Sequence, residues 1–177
     1  LRGHFYFVLK TIFGHIPFVD ENTPDSAYET TPNTLPNDEQ WQKIVADFKK
    51  AYDLLPNTQP QKGRADKYAA AAYLAKAYLY KAYRQSENNS VTGINSQDLQ
   101  EVLTYTSFAL GSSYGLEDDF AFNFLPGGYE NGKESMFAVQ YSVDDGTQYG
   151  RLNWGDQLSA PQKLGCCDFH KPSQNLV

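Results

Sequence analysis

Apolar residues recur along the first 115 positions at spacings of three and four, which places them on single faces of α-helices. The first such face is Leu1, Phe5, Val8, Leu9 and Ile12 in residues 1–13, with Gly14 placed to end the helix and Pro17 to prevent its continuation. Residues 20–37 carry Pro24, Pro32 and Pro36 among Thr, Asn and acidic residues, and read as a surface loop. A second helix starts at Asn37 or Asp38. Asn37 as N-cap, with Gln40 three residues on, has the form of a capping box. Its stripe is Trp41, Ile44, Val45, Phe48, Tyr52 and Leu55, and Pro56 ends it.

The third helix, residues 66–84, opens on Asp66 as cap and runs through Tyr68, Ala69, Ala70, Ala71, Ala72, Tyr73, Leu74 and Ala75. Its small and aromatic residues lie all round the helix, so it should pack on more than one side. Residues 85–95 are polar and read as a loop. A fourth helix follows from a Ser96 cap through Leu99, Val102, Leu103, Thr106 and Leu110 to Gly111. These helices should form two antiparallel pairs burying Trp41, Phe48, Ala72, Leu79 and Leu103, in the manner of tetratricopeptide-like repeats without the strict 34-residue pattern. Beyond residue 115 the texture changes. Phe137, Val139 and Tyr141 alternate in residues 135–141, which predicts a short strand, and Gly-rich loops lie on either side of it. The expected fold is therefore mainly α, one domain with a helical-repeat part over 1–115 and a loop-rich appendage with short strands over 116–177.

Composition narrows the function classes. The chain has 177 residues, 41% hydrophobic and 20% charged, the balance of an ordinary globular protein. A formal charge of -6 with no basic stripe argues against nucleic acid as a partner. Cys166 and Cys167 are adjacent, a spacing that rarely closes an unstrained disulfide. The 13 Tyr and 11 Phe exceed what one modest core consumes, so some aromatics are expected at a surface. The chain opens without Met inside a helical pattern and runs to Val177 with no stop signal, and reads as an internal piece of a longer polypeptide.

Several segments taken in order carry a family resemblance. They are Leu1-Arg2 to Phe7, Leu9 to Gly14 with Pro17, Ile44 and Asp47 leading to Leu54-Leu55-Pro56, and Gly63-Arg64-Ala65 with residues 69–80. Tyr114-Gly115-Leu116 with Phe120 and Phe124, then Glu134 to Tyr141, and finally Lys171 to Val177 complete the series. The ordered set resembles the middle portion of SusD/RagB-type proteins, the glycan-binding surface lipoproteins of Bacteroidetes polysaccharide-utilisation systems. Gly3 stands where that family more often has Ala, and Asp66 where it often has Thr. The resemblance implies a non-catalytic outer-membrane lipoprotein that captures oligosaccharides and delivers them to a SusC-like TonB-dependent transporter. It also implies a lipid anchor lying outside this piece. In such proteins the helical repeats form the scaffold and the face towards the transporter, while loops hold the sugar.

The chemistry legible in the residues agrees with a binding role. His4, His15 and His170 stand far apart, with no HExxH and no Cys/His pair at metal spacing, so neither a metal nor another cofactor is expected. Glu117-Asp118-Asp119 could supply the carboxylate pair of a glycoside hydrolase, but three consecutive acids after a helix are more often a solvated turn, and that is the expected reading. A sugar ring offers an apolar C–H face for stacking and hydroxyls for hydrogen bonds, a match for Tyr and Trp beside polar groups. Tyr149, Arg151, Asn153 and Trp154 share the Gly-flanked stretch 146–155, and Tyr129 lies near Asn131 in another loop; these are the candidate glycan contacts. The competing reading of Trp154 is a residue packed back onto the domain. Tyr73, Tyr78, Tyr80 and Tyr83 are expected to serve packing. A helical-repeat scaffold for protein partners is the other functional alternative.

Overall fold

The computed structural model describes residues 1–140 apart from 87, 89 and 126. Among them are four α-helices: α1 (Arg2–Phe13), α2 (Asn37–Leu54), α3 (Lys67–Ala82) and α4 (Ser96–Leu110). A two-stranded antiparallel sheet, β1 (Tyr83–Gln85) with β2 (Val91–Ile94), lies between α3 and α4 in sequence. Each helix packs on the next. The contacts make every step antiparallel: Gly3 at the start of α1 meets Phe48 in the second half of α2, Trp41 early in α2 lies against Tyr80 late in α3 (centroids 5.5 Å apart), and Tyr68 at the start of α3 stacks on Phe108 near the end of α4 (5.1 Å). Leu1–Ala138 form one compact unit.

The core sits along α3. Ala71, Leu74 and Ala77 are fully buried, and they join Ile44, Val45, Trp41, Phe48, Phe7 and Tyr105 in one apolar cluster. Alanines let α2 and α4 approach α3 from different sides, as the all-round pattern of this helix predicts. Its start is fixed by Asp66, whose carboxylate accepts from the backbone N–H of Ala69 at 2.8 Å. Gly14 ends α1 with φ +74°, a left-handed value that glycine adopts without the steric cost a Cβ imposes.

Several expectations change. The apolar face of α1 is turned outward: Leu1, Phe5, Val8, Leu9 and Ile12 are exposed, and Gly3, Phe7 and Lys10 form the buried line. Close approach selects that line. A Cβ on Gly3 would stand 3.1 Å from the Asp47 Cβ and 3.2 Å from the Phe48 ring, so α1 comes nearest α2 where it has no side chain. Arg2 pins the same edge, donating to both Asp47 oxygens at 2.8 and 2.6 Å and also to Glu21. The Asp47 hydrogen bond is the main cause that raises the Arg2 pKa and keeps its charge in place.

The expected capping box on α2 is absent. Pro36, not Asn37, is the N-cap, and it has neither a side-chain acceptor nor an N–H for Gln40 to bind. Asn37 instead accepts from the Lys10 ammonium, while Gln40 is turned inward, accepting from the Ile16 N–H at 3.3 Å and donating to the Leu35 carbonyl at 2.6 Å. The cap of α4 is Asn95, which accepts from the Asp98 N–H at 3.0 Å, one residue earlier than the expected Ser96.

In α4 the buried residues are Asp98 and Tyr105, the latter with Val102, Phe108 and Ala109 packed against the same cluster, and Leu103 is 60% exposed. Leu79 is likewise exposed and Ala72 only partly buried, whereas Trp41 and Phe48 are buried as expected. The short sheet also lies elsewhere. Residues 135–140 form no strand and Tyr141 falls outside the described residues, while the stretch expected to be a loop at 85–95 supplies β2 and the end of β1. The 135–141 alternation serves packing at one point: Phe137 lies 6.0 Å from the His4 ring and 6.3 Å from Tyr73.

Candidate functional site

Of the expected glycan contacts, Tyr149, Arg151, Asn153 and Trp154 lie outside the described residues, as do Cys166, Cys167 and His170. Tyr129 closes a 3₁₀ turn, Gly127–Tyr129, that begins with Gly127 at φ +74°. Its ring is 44% exposed and rests against Phe122, centroids 4.7 Å apart. Asn131, two residues on, adopts φ 56°, a left-handed conformation that Asn tolerates better than most residues. The turn presents an aromatic ring at the surface, with Phe120 exposed at the start of the preceding 3₁₀ segment, Phe120–Asn123, and Phe124 exposed just after it.

The acidic triplet beside it is occupied with structure. Glu117 accepts from the Lys133 N–H, Asp118 pairs with the Lys133 ammonium at 3.1 Å, and Asp119 caps Phe120–Asn123 by accepting from the Ala121 N–H at 2.9 Å. Glu134 accepts from the Glu117 N–H at 2.9 Å and from the Asn123 amide at 3.1 Å; the backbone bond is the main cause that lowers its pKa. All of these hold the loop's conformation. Among the described residues no group of three His, Cys, Asp or Glu is placed to hold a metal ion.

A cleft of about 320 Å³ opens where α1 ends, α2 begins and α3 passes into β1. It is lined by Lys10, Phe13, Trp41, Tyr80 and Gln85 among others. These residues meet because antiparallel packing brings the last turn of α1, the first of α2 and the last of α3 to the same end. Trp41 and Tyr80 stand with centroids 5.5 Å apart and planes tilted by 44°, and both rings contact Phe7. The Lys10 ammonium donates to the Gly14 carbonyl at 2.9 Å and to Asn37, and lies 5.6 Å from the Trp41 ring centroid. Reading the sequence missed this cleft. Each residue taken alone reads as part of a helix stripe, and nothing local signals that their ends converge.

The helices that carry this cleft also carry the likeness to known proteins. Residues 1–79, from α1 into the last turn of α3, match a SusD-like family model described as "Starch-binding associating with outer membrane". Over that stretch the chain resembles SusD-like proteins. SusD-like protein P2 of Formosa agariphila is 32% identical over 71 residues, which cover 40% of this chain and 14% of that protein. The chain thus aligns with only a small part of this relative's length. The SusD-like segment takes in Gly3, Trp41, Phe48, the Asp66 cap and the alanine-rich centre of α3, the residues around which the core is organised. No described helix is long and apolar enough to cross a membrane.

Proposed function

We propose that this chain belongs to a non-catalytic, glycan-binding lipoprotein of the bacterial outer-membrane surface, which passes captured oligosaccharide to a SusC-like TonB-dependent transporter. The observation that carries the reading is the SusD-like match across α1, α2 and most of α3, whose family description names starch binding and the outer membrane. The helices then act as a rigid platform and the loops beyond them as the sugar-contacting part. Tyr149, Trp154 and Tyr129 supply stacking faces, and Arg151 and Asn153 supply donors for ring hydroxyls. The engagement of Glu117 and Asp119 in loop hydrogen bonds favours binding without hydrolysis.

Affinity electrophoresis of the full-length protein through gels containing starch and other polysaccharides tests this. Retardation on at least one glycan is expected, with weaker retardation for Trp154→Ala and Tyr149→Ala. Migration unaffected by every glycan defeats the reading. The bound glycan should release no new reducing ends; release that disappears in Glu117→Gln with Asp119→Asn would move the assignment to a glycoside hydrolase. Co-purification with the transporter from detergent-solubilised outer membranes tests the partner.

A further inference from the structure

The turn that follows Tyr129 holds a reactive pair found nowhere else in the chain. Of the eleven asparagines, Asn131 is the one followed by glycine. When the backbone nitrogen after an asparagine attacks the side-chain carbonyl carbon, a five-membered ring closes. A side chain on the following residue hinders that approach, and Gly132 has none. Local structure opposes ring closure elsewhere. Asn37 is the first residue of α2 and accepts from Lys10, Asn95 caps α4 with its carbonyl oxygen on the Asp98 N–H at 3.0 Å, and the Asn123 amide donates to Glu134 at 3.1 Å. Asn131 and Gly132 belong to no helix or strand; Asn131 is half-buried and Gly132 exposed. The fold also requires the pair. A Cβ at position 132 would overlap the Glu117 carboxylate, which accepts from the Lys133 N–H beside it. Asn131 has a left-handed φ of 56°, which asparagine tolerates better than most residues.

We propose that Asn131-Gly132 is a site of spontaneous deamidation. The Gly132 nitrogen loses its proton and bonds to the Asn131 Cγ, and the side-chain nitrogen leaves as ammonia, giving a succinimide. Water, the sole co-reactant, then opens the ring at either carbonyl. One opening leaves aspartate. The other leaves isoaspartate, in which the main chain runs through the former side chain and is longer by one methylene. Either product adds a carboxylate to residues 116–134, which already hold five against one cation, Lys133. The inference goes beyond the reading above and does not rest on it, because the chemistry needs only the two residues, water and the turn that carries them.

Peptide mapping by tandem mass spectrometry tests the proposal on the folded 177-residue chain, incubated at mildly alkaline pH in ordinary water and in water of heavy oxygen. Asn131 should lose its amide several-fold faster than Asn37, Asn95 or Asn123, gaining one mass unit in ordinary water and three in the heavy water. Most of the product should be isoaspartate, read by methylation with a protein isoaspartyl methyltransferase, because only the ring route makes it. Asn131→Gln, whose longer side chain would have to close a six-membered ring, should abolish the reaction at this position. Gly132→Ala combined with Glu117→Ala, which removes the overlap a Cβ would meet, should slow it several-fold. Deamidation at Asn131 in the urea-unfolded chain but not in the folded one overturns the proposal, since the turn then shields the pair. Aspartate formed without isoaspartate, or an unchanged rate in either variant, also overturns it.

Discussion

α1 and α3 are both rich in apolar residues, yet they use them in opposite ways. In α3 six of the seven alanines and Leu74 are buried, because α2 packs on one side and α4 on another. In α1 only Gly3, Phe7 and Lys10 are buried, and the larger apolar residues stand outside. Hydrophobicity thus identified the faces but did not choose between them. The choice fell to how near two backbones can come. A glycine that admits the Phe48 ring, and an arginine forked onto Asp47, hold α1 in a rotation that a hydrophobic count alone would reject.

The sharpest way to break this contrast is to truncate one residue from each helix and follow urea denaturation. Leu74→Ala, at a fully buried site in α3, should cost about 2–5 kcal/mol through lost transfer energy and a residual cavity. Ile12→Ala, 66% exposed on α1, should change stability by less than about 0.5 kcal/mol. Equal losses would mean that the outer face of α1 is covered in solution.

The other end of α3 carries a charged version of the same argument. Lys81 binds both Asp98 oxygens at 2.8 and 2.9 Å, and Arg84 adds a third contact at 2.8 Å, joining α3 and β1 to the first turn of α4. Asp98→Ala leaves a largely buried ammonium without its carboxylate and should cost about 3 kcal/mol. The exposed Lys49–Asp53 pair on α2 should be worth about 0.5 kcal/mol or less by double-mutant cycle. A larger value there would weaken the claim that burial sets the difference.

A smaller effect is expected at the start of α3. Asp66→Ala removes the cap and should cost about 1 kcal/mol. The second Asp66 oxygen accepts from the Tyr114 hydroxyl at 2.8 Å, and that phenol is pushed up to about 12, first by burial and then by this hydrogen bond. Because the folded value lies above the ordinary 10.0, the stabilisation is fully present below pH 10 and is lost as pH rises to about 12. Burial also raises Tyr73, Tyr78 and Tyr105, so wild type should lose stability throughout this window. Tyr114→Phe should lose less, measured by denaturant midpoints across it; identical pH dependence would remove Tyr114 from the account.

Local rules were sufficient where both partners of an interaction lie within a turn or two. The Asp66 cap, the Gly14 stop, the α2 stripe from Trp41 to Phe48 and the all-round packing of α3 can be read from neighbouring residues, since helix periodicity and capping are short-range. They failed where a distant group competed. Asn37 was claimed by Lys10 of α1, 27 residues away, and Gln40 by the turn before Ile16. Tyr105 displaced Leu103 on α4 because Tyr52 and Tyr78 offered it aromatic partners. The strand signal at 135–141 found no neighbour to pair with in residues 135–140, while Tyr83–Gln85 and Val91–Ile94, joined by a short connection, paired with each other.

The sequence by itself determined the mainly helical class, the positions of the four helices and the likeness of the first 79 residues to SusD-like proteins, since each is written in local spacing or in an ordered series of motifs. Only the tertiary structure decided which side of α1 faces inward and which polar groups cap or staple the helices. It also decided that Phe13, Trp41, Tyr80 and Gln85 share a cleft. Those outcomes depend on distances between residues tens of positions apart, which hydrophobic pattern does not encode.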